Sequence, residues 1–434
     1  MNIPSHQEIL QKLSITVLNP MQEEAGQHIS SDSDVVLLSP TGTGKTVAFL
    51  LPLIEKLQPD KREIQLLILV PARELALQIE HVIRKMGTGY KVNSVYGGHS
   101  ASKDKVNLQH RPAILVGTPG RVASHMMKNS FAPHSIEYLV LDEFDKSLEI
   151  GFEKEMREII GGLPKIKQRV LTSATQELEI PSFVALSNPQ YINYLDDSSS
   201  QLQLRSIVSP TKDKLSTLYR ALCTIGDQPG IIFCNFKDSI HRVSLSLSHK
   251  GIPHACFHGG MEQKDRERSL ITFRNGSHRL LLATDLAARG IDVPEIGFVL
   301  HYHLPHKEHE FIHRNGRTAR MCKGGTAYLL HWEEEALPEF VQNIEPMTLR
   351  EKDKPPAPKW RTLFISGGRK HKISKGDIVG LFIKQGKIQQ DQLGLIEIKQ
   401  DCAFVAVHKD VATSLAKALS NRRLKKKKVR IYLL

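Results

Sequence analysis

The chain has 434 residues, too many for one hydrophobic core, and a typical domain size of roughly 150 residues predicts about three domains. Its formal net charge of +13 lies entirely in residues 359–434, which carry 18 Lys and Arg against 5 Asp and Glu. Scattered cysteines without a CxxC pair argue against a disulfide framework or zinc site, and short apolar runs against a membrane span. We therefore expect a cytoplasmic protein whose basic C-terminal part binds a polyanion, with nucleic acid favoured over membrane.

Short β-rich runs alternate with segments of helical periodicity, which predicts parallel sheets covered by helices on both faces. The first set of expected strands comprises 35–38, 66–70, 113–116, 138–141 and 169–172. After the polar segment 196–201 the pattern restarts with strands 231–234, 255–258, 279–283, 298–301 and 326–330. We therefore predict two doubly wound domains, 1–198 and 205–346, whose loops face one cleft.

A proline-rich segment, 347–358, predicts a stiff linker, and the order of elements changes beyond it. Within 359–434 the expected elements are strand 362–366, helix 375–384, strands 395–399 and 403–408, helix 411–420 and strand 429–433. This β-α-β-β-α-β order is ferredoxin-like, the architecture of RNA-recognition modules. The predicted fold class is therefore α/β, with two doubly wound domains followed by a smaller α+β domain.

The segment 39–46 lies between an expected strand and an expected helix, which is the context of a phosphate-binding loop. Gly42 and Gly44 let the backbone aim N–H groups at phosphate oxygens, while Lys45 reaches the β- and γ-phosphates. Ser39 stands where the pattern usually has its first glycine, so an ordinary glycine-rich turn is the alternative. The Thr46 hydroxyl is expected to meet Mg²⁺. The predicted nucleotide-binding residues of this loop are Ser39, Thr41, Gly42, Thr43, Gly44, Lys45 and Thr46.

Asp142 and Glu143 end an apolar strand, where a solvated acidic loop is the alternative to a catalytic pair. Hydrolysis needs a metal-holding carboxylate beside one that orients water, so we assign Asp142 to Mg²⁺ through water and Glu143 to the attacking water. In the second domain Arg317 and Arg320 lie three residues apart, and arginine fingers contribute about 10³–10⁵ in rate. We therefore predict a nucleoside triphosphatase with the catalytic residues Lys45, Asp142, Glu143, Arg317 and Arg320.

Together with further motifs in the same order, these segments resemble the DEAD-box ATP-dependent RNA helicases over almost the whole chain. The other matching segments are 19–22, 71–76, 97–98, 118–121, 173–175, 263–266, 283–292 and 313–320. The resemblance implies two RecA-like domains and an RNA-dependent ATPase that uses ATP and Mg²⁺ to separate short RNA duplexes locally.

The resemblance also implies roles for single residues. Gln22 is expected to read adenine and Asp292 to meet the ribose. Ser173 and Thr175 are expected to couple hydrolysis to strand separation. Arg289 is expected near the γ-phosphate or the RNA. The implied RNA-backbone contacts are Arg73, Gly98, Thr118 and Arg121 in the first domain and Gly260, Arg266 and Thr284 in the second.

The sequence departs from the family pattern in three ways. In the motif 142–145, which gives the family its name, Phe144 replaces an alanine, and this implies either repacking of the domain interior or lost chemistry. No aromatic residue precedes Phe49, although the family has a ring there that stacks on adenine, and Ala72 replaces a threonine. These departures keep open an ATP-gated, catalytically weak RNA clamp or scaffold. A DNA translocase is a further alternative, which the RNA-recognition-like tail disfavours.

Segments 362–370, 375–380 and 404–407 resemble the RNA-binding domain of the DbpA subgroup. That subgroup recognises a structured element of large-subunit ribosomal RNA and works in ribosome assembly, so we expect such RNA as the partner of a monomeric enzyme. Phe364 and Phe404 occupy strand positions that either stack on bases or pack as ordinary strand residues. The expected phosphate contacts are Arg369, Lys370, Lys372 and the run 422–428.

Overall fold

The computed structural model describes residues 4–98, 101–175, 179–195, 202–285, 296–318 and 324–434, without the side chains of 101–103. The chain divides near residue 200 into two compact units. The first unit is built on one seven-stranded sheet, and the second contains another seven-stranded sheet and a four-stranded one.

The first domain contains strands β1 (Val35–Leu38), β2 (Leu66–Leu69), β3 (Val92–Val95), β4 (Ile114–Gly117), β5 (Tyr138–Leu141), β6 (Gln168–Ser173) and β7 (Gln190–Asn193). Its described helices are α1 (His6–Leu13), α2 (Pro20–Ser30), α3 (Lys45–Glu55), α4 (Arg73–Met86), α5 (Ala101–Gln109), α6 (Pro119–Met127), α7 (Phe144–Glu149) and α8 (Glu153–Gly161). The strands pair in parallel in the order β3-β4-β2-β5-β6-β1-β7.

Both faces of this sheet are buried, which explains why its strands are continuous apolar runs. Successive residues of a strand point to opposite faces. Val35 and Leu37 therefore belong to one hydrophobic cluster, and Val36 and Leu38 to the other. Since β5, β6 and β1 are neighbours, the loops that follow their carboxyl ends lie side by side at one edge, where doubly wound sheets bind ligands.

The second domain has the same plan, with the parallel order β10-β11-β9-β12-β13-β8-β14. Its strands are β8 (Leu202–Ser209), β9 (Gly230–Phe233), β10 (His254–Phe257), β11 (Leu280–Ala283), β12 (Phe298–His301), β13 (Gly325–Trp332) and β14 (Glu345–Pro346). Its described helices are α9 (Leu215–Ile225), α10 (Lys237–His249), α11 (Gln263–Arg274) and α12 (Glu308–Asn315). Met347 and Leu349 of the expected linker pack against this domain's core.

The C-terminal domain has an antiparallel sheet in the order β16-β17-β15-β20, and its elements follow the expected order. They are β15 (Trp360–Ile365), α13 (Lys375–Gly380), β16 (Leu393–Ile398), β17 (Ala403–His408), α14 (Lys409–Leu419), β18 (Arg423–Leu424), β19 (Lys427–Lys428) and β20 (Ile431–Leu433). The expected helix 375–384 continues after α13 as a π-helical turn, Leu381–Gln385. The predicted fold class, two tandem RecA-like domains and a ferredoxin-like domain, is confirmed.

Sequence patterns missed the strands near the sheet edges. β3 is apolar only at its two ends, and β7 has one buried residue, Ile192. β8 alternates polar and apolar residues directly after a polar segment, and β14 has only two residues. Edge strands bury less surface than central ones, so they lack the continuous apolar signal that identified the central strands.

Candidate functional site

The loop 39–46 adopts the conformation that its glycines allow. Gly42 and Gly44 have φ values of 89° and 91°, in the left-handed region that favours glycine. The Ser39 hydroxyl donates to the Thr43 hydroxyl at 2.7 Å. The buried Lys45 ammonium donates to the carbonyl oxygens of Ser39 and, at 2.8 Å, of Pro40. The Lys45 ammonium is therefore bound by carbonyl oxygens of its own loop. A bound phosphate would compete with these oxygens for it.

The first turn of α2 packs against this loop. Asn19 caps α2 and forms a capping box with Gln22, and the Asn19 amide also donates to the Thr43 carbonyl at 2.9 Å. The buried Gln22 amide donates to the Gly44 carbonyl at 3.2 Å. A Cβ atom at Gly44 would collide with the Gln22 side chain. The expected adenine-reading residue is therefore in direct contact with the expected phosphate loop.

The carboxyl ends of β5 and β6 are joined by one threonine. The Thr172 hydroxyl donates to an Asp142 carboxylate oxygen at 2.6 Å and accepts the Glu143 N–H at 3.1 Å. Burial raises the pKa of the Asp142 carboxyl, while the Thr172 hydrogen bond and the positive charge of Lys45 act in the opposite direction. Glu143 has a φ of 47°, so the turn that places it is backbone-strained. Sequence reasoning did not identify Thr172, whose only signal is a polar residue inside a buried strand.

Of the expected coupling residues, Thr175 contacts Asp145, the last residue of the motif 142–145, and Ser173 contacts Thr175. The Ser173 hydroxyl accepts the Thr175 N–H at 3.1 Å, and the Thr175 hydroxyl donates to an Asp145 carboxylate oxygen at 3.5 Å. Ser39 in turn donates its N–H to the Ser173 carbonyl at 3.1 Å. The phosphate loop (39–46), the acidic motif (142–145) and the coupling motif (173–175) are therefore joined by hydrogen bonds at one edge of the first sheet.

Two donors in this edge fit a Mg²⁺ ion, namely the half-buried Thr46 hydroxyl and the Asp142 carboxylate. Within the part of the chain that the structure describes, no three His, Cys, Asp or Glu side chains gather into a metal-binding group. Mg²⁺ usually binds one or two carboxylates together with substrate phosphates and water. This pair therefore fits an ion that arrives with a nucleotide, and such an ion would stabilise the buried Asp142 carboxylate.

Phe144 is fully buried in one of the two hydrophobic clusters of the first domain, as the repacking interpretation expects. We predict that Phe144→Ala, which restores the family residue, destabilises the first domain by about 3–5 kcal/mol, because it leaves a cavity. Calorimetric unfolding of the full chain measures this, with Phe144→Leu as a control that should lose less. Equal stability of Phe144→Ala and the parent chain would contradict the prediction.

In the second domain the largest fully buried side chain, Arg314, joins three strand ends. Its guanidinium donates twice to the Asp285 carboxylate, at 2.6 Å each, and once to the Asn235 side chain at 2.9 Å. It also donates to the His303 carbonyl at 2.8 Å. The predicted catalytic Arg317 follows in the same segment, 6% exposed. Sequence reasoning singled out Arg317 but missed Arg314, which positions the end of α12.

His301 lies within this network and must be neutral. Its Nε2 lies 3.0 Å from the Asn315 side-chain oxygen, and its Nδ1 lies 3.3 Å from Arg314. Because the oxygen only accepts and the guanidinium only donates, the ring carries its proton on Nε2. Burial first, and Arg314 second, lower the pKa of His301 to about 3.

This pKa predicts an acid-sensitive second unit. The unfolded chain binds a proton at His301 near pH 6.5, so stability is fully present above that pH and falls as the pH is lowered towards 3. Nitrogen-15 NMR of the His301 ring at pH 5 should show the neutral Nε2–H form. A titration midpoint of His301 near pH 6 would contradict this assignment.

The expected RNA contacts of the first domain have different surroundings. The Arg73 guanidinium lies 5.6 Å from the centre of the Tyr96 ring and packs closely against Gly98, whose φ of 79° favours glycine. Thr118 is the residue before the first turn of α6, makes no side-chain capping bond and is half-buried. Arg121 instead forms an ion pair with the fully buried Asp104 carboxylate, at 2.8 and 2.7 Å. Arg73 and Gly98 are therefore brought together, whereas Arg121 is also used inside the domain.

Among the expected contacts of the second domain, Gly260 is exposed after β10, and Arg266 in α11 covers the Phe257 ring at 4.8 Å. Thr284 follows β11, and its N–H donates to the Phe257 carbonyl at 3.4 Å. These residues therefore lie at neighbouring carboxyl strand ends. The predicted positions that lie outside the described residues are Arg289, Asp292 and Arg320.

The two sets of expected phosphate contacts in the C-terminal domain adjoin each other. Arg369, Lys370 and Lys372 are exposed in a short turn after β15, and most of the later basic run is exposed in the β18–β19 hairpin. Lys427 of the hairpin lies 2.8 Å from His371 of the turn. We call this combined area the basic surface, defined by the exposed residues Arg369, Lys370, Lys372, Arg422, Arg423, Lys425, Lys426 and Lys428.

Family comparisons agree with this geometry. Residues 19–182 match the DEAD/DEAH box helicase family, 213–322 the helicase conserved C-terminal domain and 362–433 the DbpA RNA binding domain. The chain is 31% identical to the ATP-dependent RNA helicase DbpA of Bacillus subtilis (strain 168), over 97% of this chain and 96% of that protein. The chain belongs to the DEAD-box ATP-dependent RNA helicases. This helicase is also 31% identical to the DbpA of Escherichia coli (strain K12), over 99% of this chain and 97% of that one.

Solved helicase structures share the fold. The structure of Mss116p bound to ssRNA and AMP-PNP has a TM-score of 0.69 and 28% identity, covering 79% of this helicase and 78% of that chain. S. cerevisiae Dbp5 bound to RNA and ADP BeF3 has a TM-score of 0.66 and 26% identity, covering 75% and 88%. Across the described ranges, no helix is both long and apolar enough to cross a membrane.

Proposed function

We propose that this helicase is an RNA-dependent ATPase that locally separates short RNA duplexes on large-subunit ribosomal RNA during ribosome assembly. The observation that carries the ribosomal target is the basic surface, which gathers two separate basic segments on a domain of the DbpA type. A surface of this kind binds RNA phosphates, and its neighbouring loops supply the remaining recognition. We propose further that the enzyme acts as a monomer.

For hydrolysis we propose that Lys45 leaves its two carbonyl partners to hold the β- and γ-phosphates, while Gln22 selects adenine. Asp142 and Thr46 would hold Mg²⁺, which supplies charge stabilisation at the phosphates. Glu143 orients the attacking water and accepts its proton. Arg317 and Arg320 of the second domain stabilise the charge that develops on the transferred phosphate.

For strand separation we propose that ATP and RNA each favour the same closed arrangement of the helicase domains. The RNA path of that arrangement accepts a bent single strand, so a short duplex parts locally. Ser173 and Thr175 transmit the change, because they join the acidic motif to the phosphate loop. Coupling of this type is reciprocal, so RNA must raise the affinity for ATP by the same factor by which ATP raises the affinity for RNA.

An ATP-gated RNA clamp is the second candidate, and two observations favour it. No aromatic side chain precedes Phe49, so the usual ring over adenine is lacking in the sequence. The Gln22 amide also binds within the protein, to Asn19 and Gly44. A clamp would bind RNA in response to ATP without repeated turnover.

Strand separation distinguishes the two candidates. A labelled short duplex is joined to a large-subunit ribosomal RNA fragment and mixed with the helicase and ATP, in parallel with a non-hydrolysable ATP analogue. The proposal predicts catalytic release of many strands per enzyme with ATP. Release of no more than one strand per enzyme under both conditions would favour the clamp and overturn the proposed function.

A further inference from the structure

The C-terminal domain is docked on helix α11 of the second helicase domain through an ion pair. The Arg274 guanidinium donates to both carboxylate oxygens of Glu397 in β16, at 3.0 and 2.8 Å. Both side chains are largely buried, at 23% and 20% exposure. Two parallel charge-assisted hydrogen bonds fix orientation as well as distance, so this contact holds the two domains in one relative orientation.

Neighbouring polar groups complete the docking contact. The Thr362 hydroxyl of β15 accepts the Asn275 amide at 2.7 Å and lies 2.8 Å from the Ser277 hydroxyl, and all three residues are buried. The Trp360 ring packs against Gly276, where an added Cβ would lie 3.3 Å from the ring. Buried polar groups are stable only when they are paired, and these are paired across the two domains. The two domains therefore share a specific interface with paired polar groups.

The same interface covers part of one face of the C-terminal sheet, while Tyr432, which packs on Phe364 on that face, is 43% exposed. The Arg268 guanidinium of α11 lies 5.8 Å from the centre of the Phe364 ring, and Lys399 pairs with Glu267 at 2.7 Å. Phe404 is only 3% exposed and contacts Phe364 edge to face. The packing interpretation of these two phenylalanines therefore fits the docked domain, since the part of the sheet face around Phe364 lies against α11.

Helix α11 thus has two functional ends. Its first turns carry Arg266, an expected RNA-backbone contact that covers Phe257 at the carboxyl end of β10. Its last turn and the residues that follow carry Arg274 and Asn275, which hold the C-terminal domain. A helix is stiff over 12 residues, so its two ends move together.

We propose that α11 is the transmission element by which RNA bound at the basic surface raises ATP turnover in the helicase core. This inference rests on the proposed ribosomal target. Docking through Arg274 and Glu397 fixes the basic surface relative to the RNA-facing end of α11. RNA anchored on the C-terminal domain is therefore delivered to the helicase core at one distance and orientation.

The test uses five full-length proteins: wild type, Arg274→Glu, Glu397→Arg, the double charge swap and a control variant. Arg157→Glu serves as the control, because it breaks an exposed ion pair of the first domain with Glu153. Three quantities are measured: hydrogen exchange of the 274–279 and 360–366 amides, affinity for a large-subunit ribosomal RNA fragment, and ATP turnover with that fragment and with poly(U).

We expect each single variant to lose amide protection at the interface and to keep its affinity for the fragment and its turnover with poly(U). The extra stimulation by the fragment should fall by roughly 2- to 30-fold, the usual range for mutations that change coupling. The double swap should restore both protection and stimulation, while Arg157→Glu should change neither.

Unchanged protection in both single variants would overturn the docking contact. Lost protection with undiminished stimulation by the fragment would overturn the transmission role. A wild type that responds equally to the fragment and to poly(U) would overturn the proposed ribosomal target and, with it, the transmission role. Hydrogen exchange would still report on docking in that case, so the two failures are distinguishable.

Discussion

Glu143→Gln should lower RNA-stimulated ATP turnover by about 10²–10⁴-fold while leaving nucleotide binding in place. The amide has the size of the carboxylate but cannot accept the proton of the attacking water. The backbone turn that places residue 143 is held by the Thr172 hydroxyl through the main-chain N–H, so the substitution leaves this contact intact. Steady-state phosphate release and titration with a fluorescent ATP analogue measure the two quantities.

The matched control is Glu153→Gln, which changes an exposed acid of the neighbouring helix α8. It should retain full turnover. If Glu143→Gln turned over ATP at the wild-type rate, the carboxylate of residue 143 would not act on the water, and the assignment of the acidic motif would be wrong.

Neutralising the basic surface should weaken binding of the ribosomal RNA fragment on the order of 10²-fold at low salt. The variant replaces with glutamine four exposed cations for which no ion pair is described, namely Arg369, Lys372, Lys426 and Lys428. Each lost phosphate contact should lower the slope of log affinity against log salt by about 1, because fewer counterions are released. Fluorescence anisotropy across a salt series measures both effects.

A control of equal net charge replaces exposed lysines elsewhere in the same domain, namely Lys384, Lys387, Lys409 and Lys417. If binding depends on the basic surface, this control should keep most of the affinity. Equal losses in the two variants would mean that the domain binds RNA through its overall charge, which would contradict a localised site.

The central elements of the fold were predictable because buried parallel strands are continuous apolar runs. The strand 35–38 was placed correctly for this reason, and the segment 39–46 follows it and runs into a helix, as expected. The edge strands β3 and β7 were missed, since each is apolar only where it meets the core. The start of α2 has a local signal, the capping-box pattern of Asn19 and Gln22, whereas the contact of Asn19 with Thr43 has none.

Long-range polar contacts had no such signal. Arg274 and Glu397 are 123 residues apart, and nothing in either local sequence indicates the other. Arg314 and Arg317 lie in one motif. Only the structure shows that the Arg314 guanidinium donates its hydrogen bonds to Asp285, Asn235 and a carbonyl oxygen. Pairing of this kind depends on which strand ends adjoin, and the order of strands in a sheet is a property of the whole fold.

The steady-state ATPase rate of the full-length protein tests the central claim most directly. The rate is measured without RNA, with poly(U) and with a large-subunit ribosomal RNA fragment, beside Glu143→Gln. A low basal rate that rises most strongly with the ribosomal fragment, and vanishes in Glu143→Gln, is the predicted result. Equal stimulation by both RNAs would contradict the ribosomal target, and no turnover under any condition would contradict the assignment of an RNA-dependent ATPase.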